Sequence, residues 1–286
     1  MARRHADPPV IIDTHTHIVS SDHDRYPLNP RNLSGEWYKQ SPHTDVEFLA
    51  CMDATGVSKA VLVQPIGAYT YDNSYTADSA AKTPERFASA CCIDMEADNP
   101  LGMLEHWAVK RKMQGIRLFA LSARGDSWLD DERTYPVWER AAELGVHVIV
   151  TIFGHQLPQL RRVLERFPTT RVSLDHCGFP ALDGPPFDAA SPLFELATLG
   201  NLYCKVSSIV IDAASQDDAE PSQFIQKLVS EFGADHVMWG SDFCQTHDRT
   251  YDELVALAKD AFSCLSSEDQ TWCFAGTAKS LWPSLA

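Results

Sequence analysis

Apolar positions in this chain gather into short, nearly continuous runs, with longer amphipathic stretches between them. The runs predict eight strands, over residues 10–17, 59–66, 87–94, 114–121, 146–153, 171–177, 202–209 and 237–243. Several are apolar at consecutive positions, the pattern of strands buried on both faces of a parallel sheet. Between them, apolar residues recur every three or four positions, as along one face of a helix. Thr44 and Glu47 form a capping-box pair ahead of Phe48, Leu49 and Met52, and Gly56 ends that helix. Thr134 is placed to cap a helix carrying Trp138, Ala141 and Leu144 up to Gly145. Leu157, Leu160, Val163, Leu164 and Phe167 mark another, stopped by Pro168. Pro221 opens a helix with Phe224, Ile225, Leu228 and Phe232, closed by Gly233. Two further helical segments are expected over 251–265 and 267–282.

Alternation of strand and helix implies parallel pairing through crossovers. Eight strands in 286 residues predict an α/β chain folded as one (β/α)8 TIM barrel over 1–286, with 1–9 a flexible N-terminal tail. An open doubly wound sheet is the competing architecture, and the missing GxGxxG after the first strand counts against its dinucleotide-binding form.

In such a barrel the chemistry gathers at the C-terminal strand ends. The first strand ends in "DTHTH", which alternation would place as Asp13, His15 and His17 on one face. The fourth carries Arg117 in "GIRLFAL", and the sixth ends in "SLDHCG" with His176. Lys205 and Ser207 stand two apart on the seventh, and Asp242 ends the eighth in "MWGSDF". Each has an ordinary alternative: a hydrogen-bonded core histidine, an ion-paired cation, or a turn aspartate. Their coincidence at strand ends favours a shared site.

The net charge of −15 argues against nucleic acid or an anionic membrane surface as a partner. No apolar run approaches the ~20 residues of a membrane span. "MARRHADPPV" lacks the apolar core of a secretory signal. The eight cysteines are scattered, which fits reduced thiols and a cytoplasmic location.

"IIDTHTHI", "SLDHCG" and "MWGSDF" together resemble the amidohydrolase superfamily, in its amidohydrolase-2, lactonase-like branch. "DTHTHIVSSDHDRYPLNP", "QGIRLF", "VHVIVTIFGHQLPQLRRVLERFP" and "LYCKVSS" are most similar to its 2-pyrone-4,6-dicarboxylate lactonase group. The resemblance implies that His15, His17, His176 and Asp242 are catalytic, that they match positions which hold a divalent metal ion in most of the superfamily, and that Asp242 is the general base; imidazole and carboxylate ligands favour zinc, one ion per chain. It departs from the metal-dependent pattern at the fifth strand, where Thr151 stands in place of a ligand histidine. His155 lies beyond that strand end on a loop, and His147 lies at the strand's start.

Opening a lactone needs an activated water, a polarised carbonyl and a place for oxyanion charge. A metal could supply all three; Asp242 with the imidazoles is the metal-independent alternative. Arg117, Arg124 and Lys205 are candidate grips for a small carboxylate-bearing, anionic lactone, with Tyr71 and Asn73 from "GAYTYDNSY". The connection from residue 18 to 43 is long for a loop and is expected to be a functional lid. Metal-dependent decarboxylation and a non-catalytic ligand-binding barrel are the rival functions. The sequence leaves the oligomeric state open.

Overall fold

A computed structural model describes residues 10–30, 35–216 and 219–286; the expected tail at 1–9 lies outside the described residues. Eight strands form one parallel sheet in sequence order: β1 (Ile12–Thr16), β2 (Lys59–Val63), β3 (Phe87–Cys92), β4 (Gly115–Phe119), β5 (His147–Thr151), β6 (Val172–Leu174), β7 (Leu202–Val206) and β8 (Val237–Trp239). The two ends of the sheet meet. Thr16 bridges Phe243 in parallel, His17 N donates to Phe243 O at 2.6 Å, and Asp242 N donates to His15 O at 2.8 Å. The sheet is thereby curled into the expected (β/α)8 barrel.

Two apolar layers hold it. Inside, Ile12, Val61, Val63, Ala88, Ala90, Ile149 and Met238 pack across the barrel axis. Ala278, Leu281, Trp282 and Leu285, at the C-terminal end of the chain, plug the same layer from the strand-start side. Outside, the sheet packs against the amphipathic faces of Asp45–Thr55, Tyr135–Leu144, Leu157–Arg166, Pro221–Phe232 and Tyr251–Ala261. With one end plugged by apolar side chains, the opposite end is the one free to carry polar groups.

The capping box at Thr44 forms as expected, with Glu47 N donating to Thr44 Oγ1 and Thr44 N to Glu47 Oε2. Thr134 does not cap. It ends a short 3-10 turn (Glu132–Thr134) and donates to Asp131 O, while Asp131 takes the Arg133 N–H. The segment 267–282 is not one regular helix: a π-helical turn (Trp272–Gly276) interrupts it. Short helices unexpected from the sequence follow β2 and β7, at Ser74–Lys82 and Ser208–Ala214. All eight cysteines are free thiols. Among the described residues no helix is long and apolar enough to cross a membrane.

Candidate active site

β1 positions the first pair of side chains through an irregularity. Its register against β2 shifts between Asp13 and Thr16, so alternation fails there. Asp13 leaves the histidines' side. It takes the Ser241 N–H at 2.9 Å and the Tyr251 hydroxyl at 3.0 Å, and so straps β1 to the end of β8. Burial pushes the Asp13 carboxyl up to about 6, against the hydrogen bonds it accepts from Ser241, His15 and Tyr251. His15 and His17 turn into the mouth, their rings edge to face with centroids 4.9 Å apart. Gly240 makes this approach possible, because a Cβ there would sit 2.7 Å from His15 Cβ.

Asp242 and His176 arrive on backbone that ordinary residues avoid, with φ of 62° and 53°. Left-handed conformations of this kind are costly outside glycine and concentrate at functional positions. Asp242 is held there by its own N–H to His15 O and by Thr246 Oγ1, which donates to its Oδ2 at 3.1 Å. Asp242 Oδ1 then stands 3.4 Å from both His15 Nε2 and His17 Nε2.

Those three atoms, His15 Nε2, His17 Nε2 and Asp242 Oδ1, are buried and have no hydrogen-bond partner. Buried polar atoms without partners are rare and costly. His17 Nδ1 faces Val63 O at 2.8 Å. A carbonyl only accepts, so His17 carries its proton on Nδ1 and turns the Nε2 lone pair toward Asp242. Two imidazoles and a carboxylate converging in this way fit a divalent cation. His176 is not in that three-atom group. Its ring lies 5.0 Å from that of His15, and its Nδ1 is bonded to Ser207 Oγ at 2.7 Å. Of the four expected ligands, three converge and the fourth stands beside them.

Below this cluster lies a residue of "SLDHCG" that the motif does not single out. Asp175, fully buried, accepts from Lys205 Nζ (2.8 Å), Thr151 Oγ1 (2.7 Å) and Arg117 Nε (2.9 Å), and lies 3.1 Å from His15 Nδ1. Burial would raise its pKa, but Lys205, His15 and Arg117 outweigh that and hold it well below the usual carboxylate range. Burial pulls His15 and His176 below the usual imidazole value; Asp175 opposes the shift at His15, and Asp242 and Asp175 oppose it at His176. Asp242 is lowered too: burial opposes ionisation, and the surrounding imidazoles of His17, His176 and His15 prevail.

Several expected substrate contacts are spent elsewhere. Lys205 is fully buried against Asp175 and His15, too deep to grip a ligand at the rim. Asn73 gives both amide hydrogens to backbone, at Tyr71 O and Cys92 O, and takes the Cys92 N–H, so it braces the loop after β2 against β3. Arg117 is 3% exposed. Its hydrogen bonds run through Nε, and its guanidinium lies over the Phe119 ring, which leaves two terminal nitrogens. Arg124 is exposed on the turn after β4, and Tyr71 is half-buried on its loop. Thr151 explains the fifth strand: its hydroxyl serves Asp175. His155 is exposed on the following turn, and His147 is bonded to Ser173 at the barrel's other end. Of the 18–43 connection, the described part brings the Trp37 ring to 5.7 Å from that of His17.

The amidohydrolase family model (Amidohydro_2) matches residues 12–283. An L-fucono-1,5-lactonase of Burkholderia ambifaria is 28% identical over 240 residues, covering 81% of this chain and 79% of its own. A Pseudomonas putida structure described as a 2-pyrone-4,6-dicarboxylic acid hydrolase overlays with a TM-score of 0.78 at 22% identity, covering 98% of this chain and 99% of its own. A zinc-bound amidohydrolase from Burkholderia multivorans overlays at 0.74 and 22% identity, covering 96% and 99%. The fold extends to other chemistry: a 2,6-dihydroxybenzoate decarboxylase from Rhizobium overlays at 0.70 and 14% identity, covering 96% and 99%. With the family model spanning nearly the whole barrel, the chain belongs to the amidohydrolase family.

Proposed function

We propose that this protein opens the ring of a small lactone by directing water onto the ester carbonyl, with Asp242 as the general base. The observation that carries the reading is the meeting of three partnerless buried atoms, His15 Nε2, His17 Nε2 and Asp242 Oδ1, at the mouth of the barrel. A divalent ion held by those atoms, zinc by the chemistry of two imidazoles and a carboxylate, would lower the pKa of water and polarise the carbonyl. Asp242 is ionised at neutral pH but, with its pKa held low, it is a weak base. It therefore needs an acidified water, which supports a cation beside it. The proton leaves water for the carboxylate, the water oxygen bonds the carbonyl carbon, the ring ester bond breaks, and the proton passes to the departing ring oxygen. His176, fixed by Ser207, stands within reach to donate a hydrogen bond to carbonyl or leaving oxygen.

The two terminal nitrogens of Arg117 are the best match for a substrate carboxylate, with Arg124 and Tyr71 on the rim loops. A second substrate class has an observation in its favour. Within the site, Arg117 and Lys205 are both paired with Asp175, so less of their charge is free for a substrate carboxylate than the sequence suggests, and a neutral sugar lactone also suits it. Decarboxylation remains the rival reaction; Thr151, committed to Asp175, offers no ligand from β5.

The decisive variant is Asp242→Asn, nearly isosteric and equally suited to a turn. Lactone hydrolysis should fall by ~10²–10⁴ in turnover while the fold, followed by circular dichroism, is kept. A folded variant with native turnover would remove Asp242 from the mechanism. Release of carbon dioxide from a carboxylated substrate would replace the lactonase reading altogether.

A further inference from the structure

We infer that Asp175 is the positioning residue of this centre: its carboxylate takes the Nδ1–H of His15 and so turns the Nε2 lone pair of that ring toward His17 and Asp242. The inference rests on reading those three residues as a cation site, and its test needs no lactone turnover.

Two of the three converging atoms are settled by their own chemistry. His17 Nε2 is a lone pair because Val63 O takes the proton on Nδ1, and a carboxylate oxygen only accepts. The third atom, His15 Nε2, is a ligand in one tautomer and an N–H donor in the other. What lies against Nδ1 decides which. Asp175 Oδ1 and Lys205 Nζ are both 3.1 Å from it. They ask for opposite tautomers, since the carboxylate wants an N–H and the ammonium wants a lone pair.

Lys205 has a better place for its proton. Its Nζ is 2.8 Å from the same Asp175 Oδ1, a charge-assisted contact. The other oxygen of Asp175 is loaded by Arg117 Nε at 2.9 Å and Thr151 Oγ1 at 2.7 Å. That pins the carboxylate plane and leaves the second site of Oδ1 aimed at His15. Arg117, Thr151 and Lys205 thus orient one carboxylate, and that carboxylate orients one imidazole. A carboxylate behind a ligand histidine sets both its tautomer and its basicity, and losing it typically lowers metal affinity 10- to 100-fold. The same arrangement accounts for the threonine at the end of β5, which donates to the positioning carboxylate instead of binding the ion.

The test reads the tautomer and the affinity for zinc alone. In metal-free protein with 15N-labelled histidine, His15 should show Nδ1–H in the native chain and lose that preference in Asp175→Asn. Zinc affinity, measured by competition with a chromophoric chelator, should fall 10- to 100-fold in the variant. Asp175→Asn strands two buried cations and can unfold for that reason. The double variant Asp175→Asn, Lys205→Met removes one of them and should fold with the zinc affinity still reduced. Lys205→Met alone leaves Asp175 held by Arg117 and Thr151 and should lose less zinc affinity than either variant lacking Asp175. Native His15 protonated on Nε2, or native zinc affinity in either variant lacking Asp175, would overturn the inference. So would Lys205→Met alone reproducing the whole loss. If lactone hydrolysis is never found, these readouts stand unchanged.

Discussion

Arg117 faces two ways, and the two faces predict different losses. Its Nε is committed to Asp175, while on the proposed reading its terminal nitrogens take a substrate carboxylate. Arg117→Ala should lower kcat/KM on a carboxylated lactone by roughly 30- to 150-fold, the loss of ~2–3 kcal/mol from one charge-assisted contact. On a neutral sugar lactone the loss should be smaller, and steady-state kinetics on both substrates would show it. Equal kinetics for variant and native protein on the carboxylated substrate would end the anion-gripping role. His147, at the plugged end, offers a test free of the catalytic centre. Burial, helped by the charges of Lys205 and Arg171, holds its pKa well below 6.5, so the native ring stays neutral where the unfolded one takes a proton. Unfolded chains then bind more protons below about pH 6.5, and stability must fall as pH drops through that window. His147→Gln should make the fall shallower by up to ~1.4 kcal/mol per pH unit. Urea midpoints between pH 5 and 7 would check this, and an unchanged slope would mean His147 is protonated in the native state.

The seam between β1 and β8 is where element geometry becomes site geometry. A Cβ on Gly240 would sit 2.7 Å from His15 Cβ and 2.8 Å from its backbone nitrogen. Gly240→Ala should therefore part the strands at the histidine it supports, costing ~1–3 kcal/mol as an overpacked contact and reducing turnover. Native melting temperature and native turnover together would show that the seam has slack. The same seam explains what the sequence can and cannot reveal. All eight strands and their order are legible, because burial on both faces writes apolar runs into the chain. Strand ends are not. The run at 171–177 is a strand only at Val172–Leu174, because His176 and Cys177 take positive φ and wind the polar end into a turn. His15, His17, His176 and Asp242 are legible in their motifs. Asp175 is not, because its importance lies in four partners drawn from four other strands, and no spacing along the chain records them. Lys205 and Asn73 look like ligand contacts in the sequence, which shows a polar group without showing that its hydrogen bonds are already taken.

At the scale of the whole molecule, charge separates the two substrate classes. The chain carries −15, while the cations nearest the centre, Arg117 and Lys205, are each paired with Asp175. An approaching anion thus meets a repulsive far field, and attraction only at short range, from Arg117, Arg124 and a cation held by His15, His17 and Asp242. Salt screens the far field first: the Debye length shrinks from about 30 Å at 0.01 M to about 8 Å at 0.15 M. Contacts made inside the buried mouth are screened much less. Raising ionic strength over that range should therefore increase kcat/KM for a carboxylated lactone by speeding encounter, with kcat unchanged. A neutral sugar lactone feels neither field and should show no dependence, so the two substrates assayed in parallel control for any effect of salt on the enzyme itself. A fall in kcat/KM for the anion would mean that the local cations steer despite the net charge and despite the pairing of Arg117 and Lys205 with Asp175.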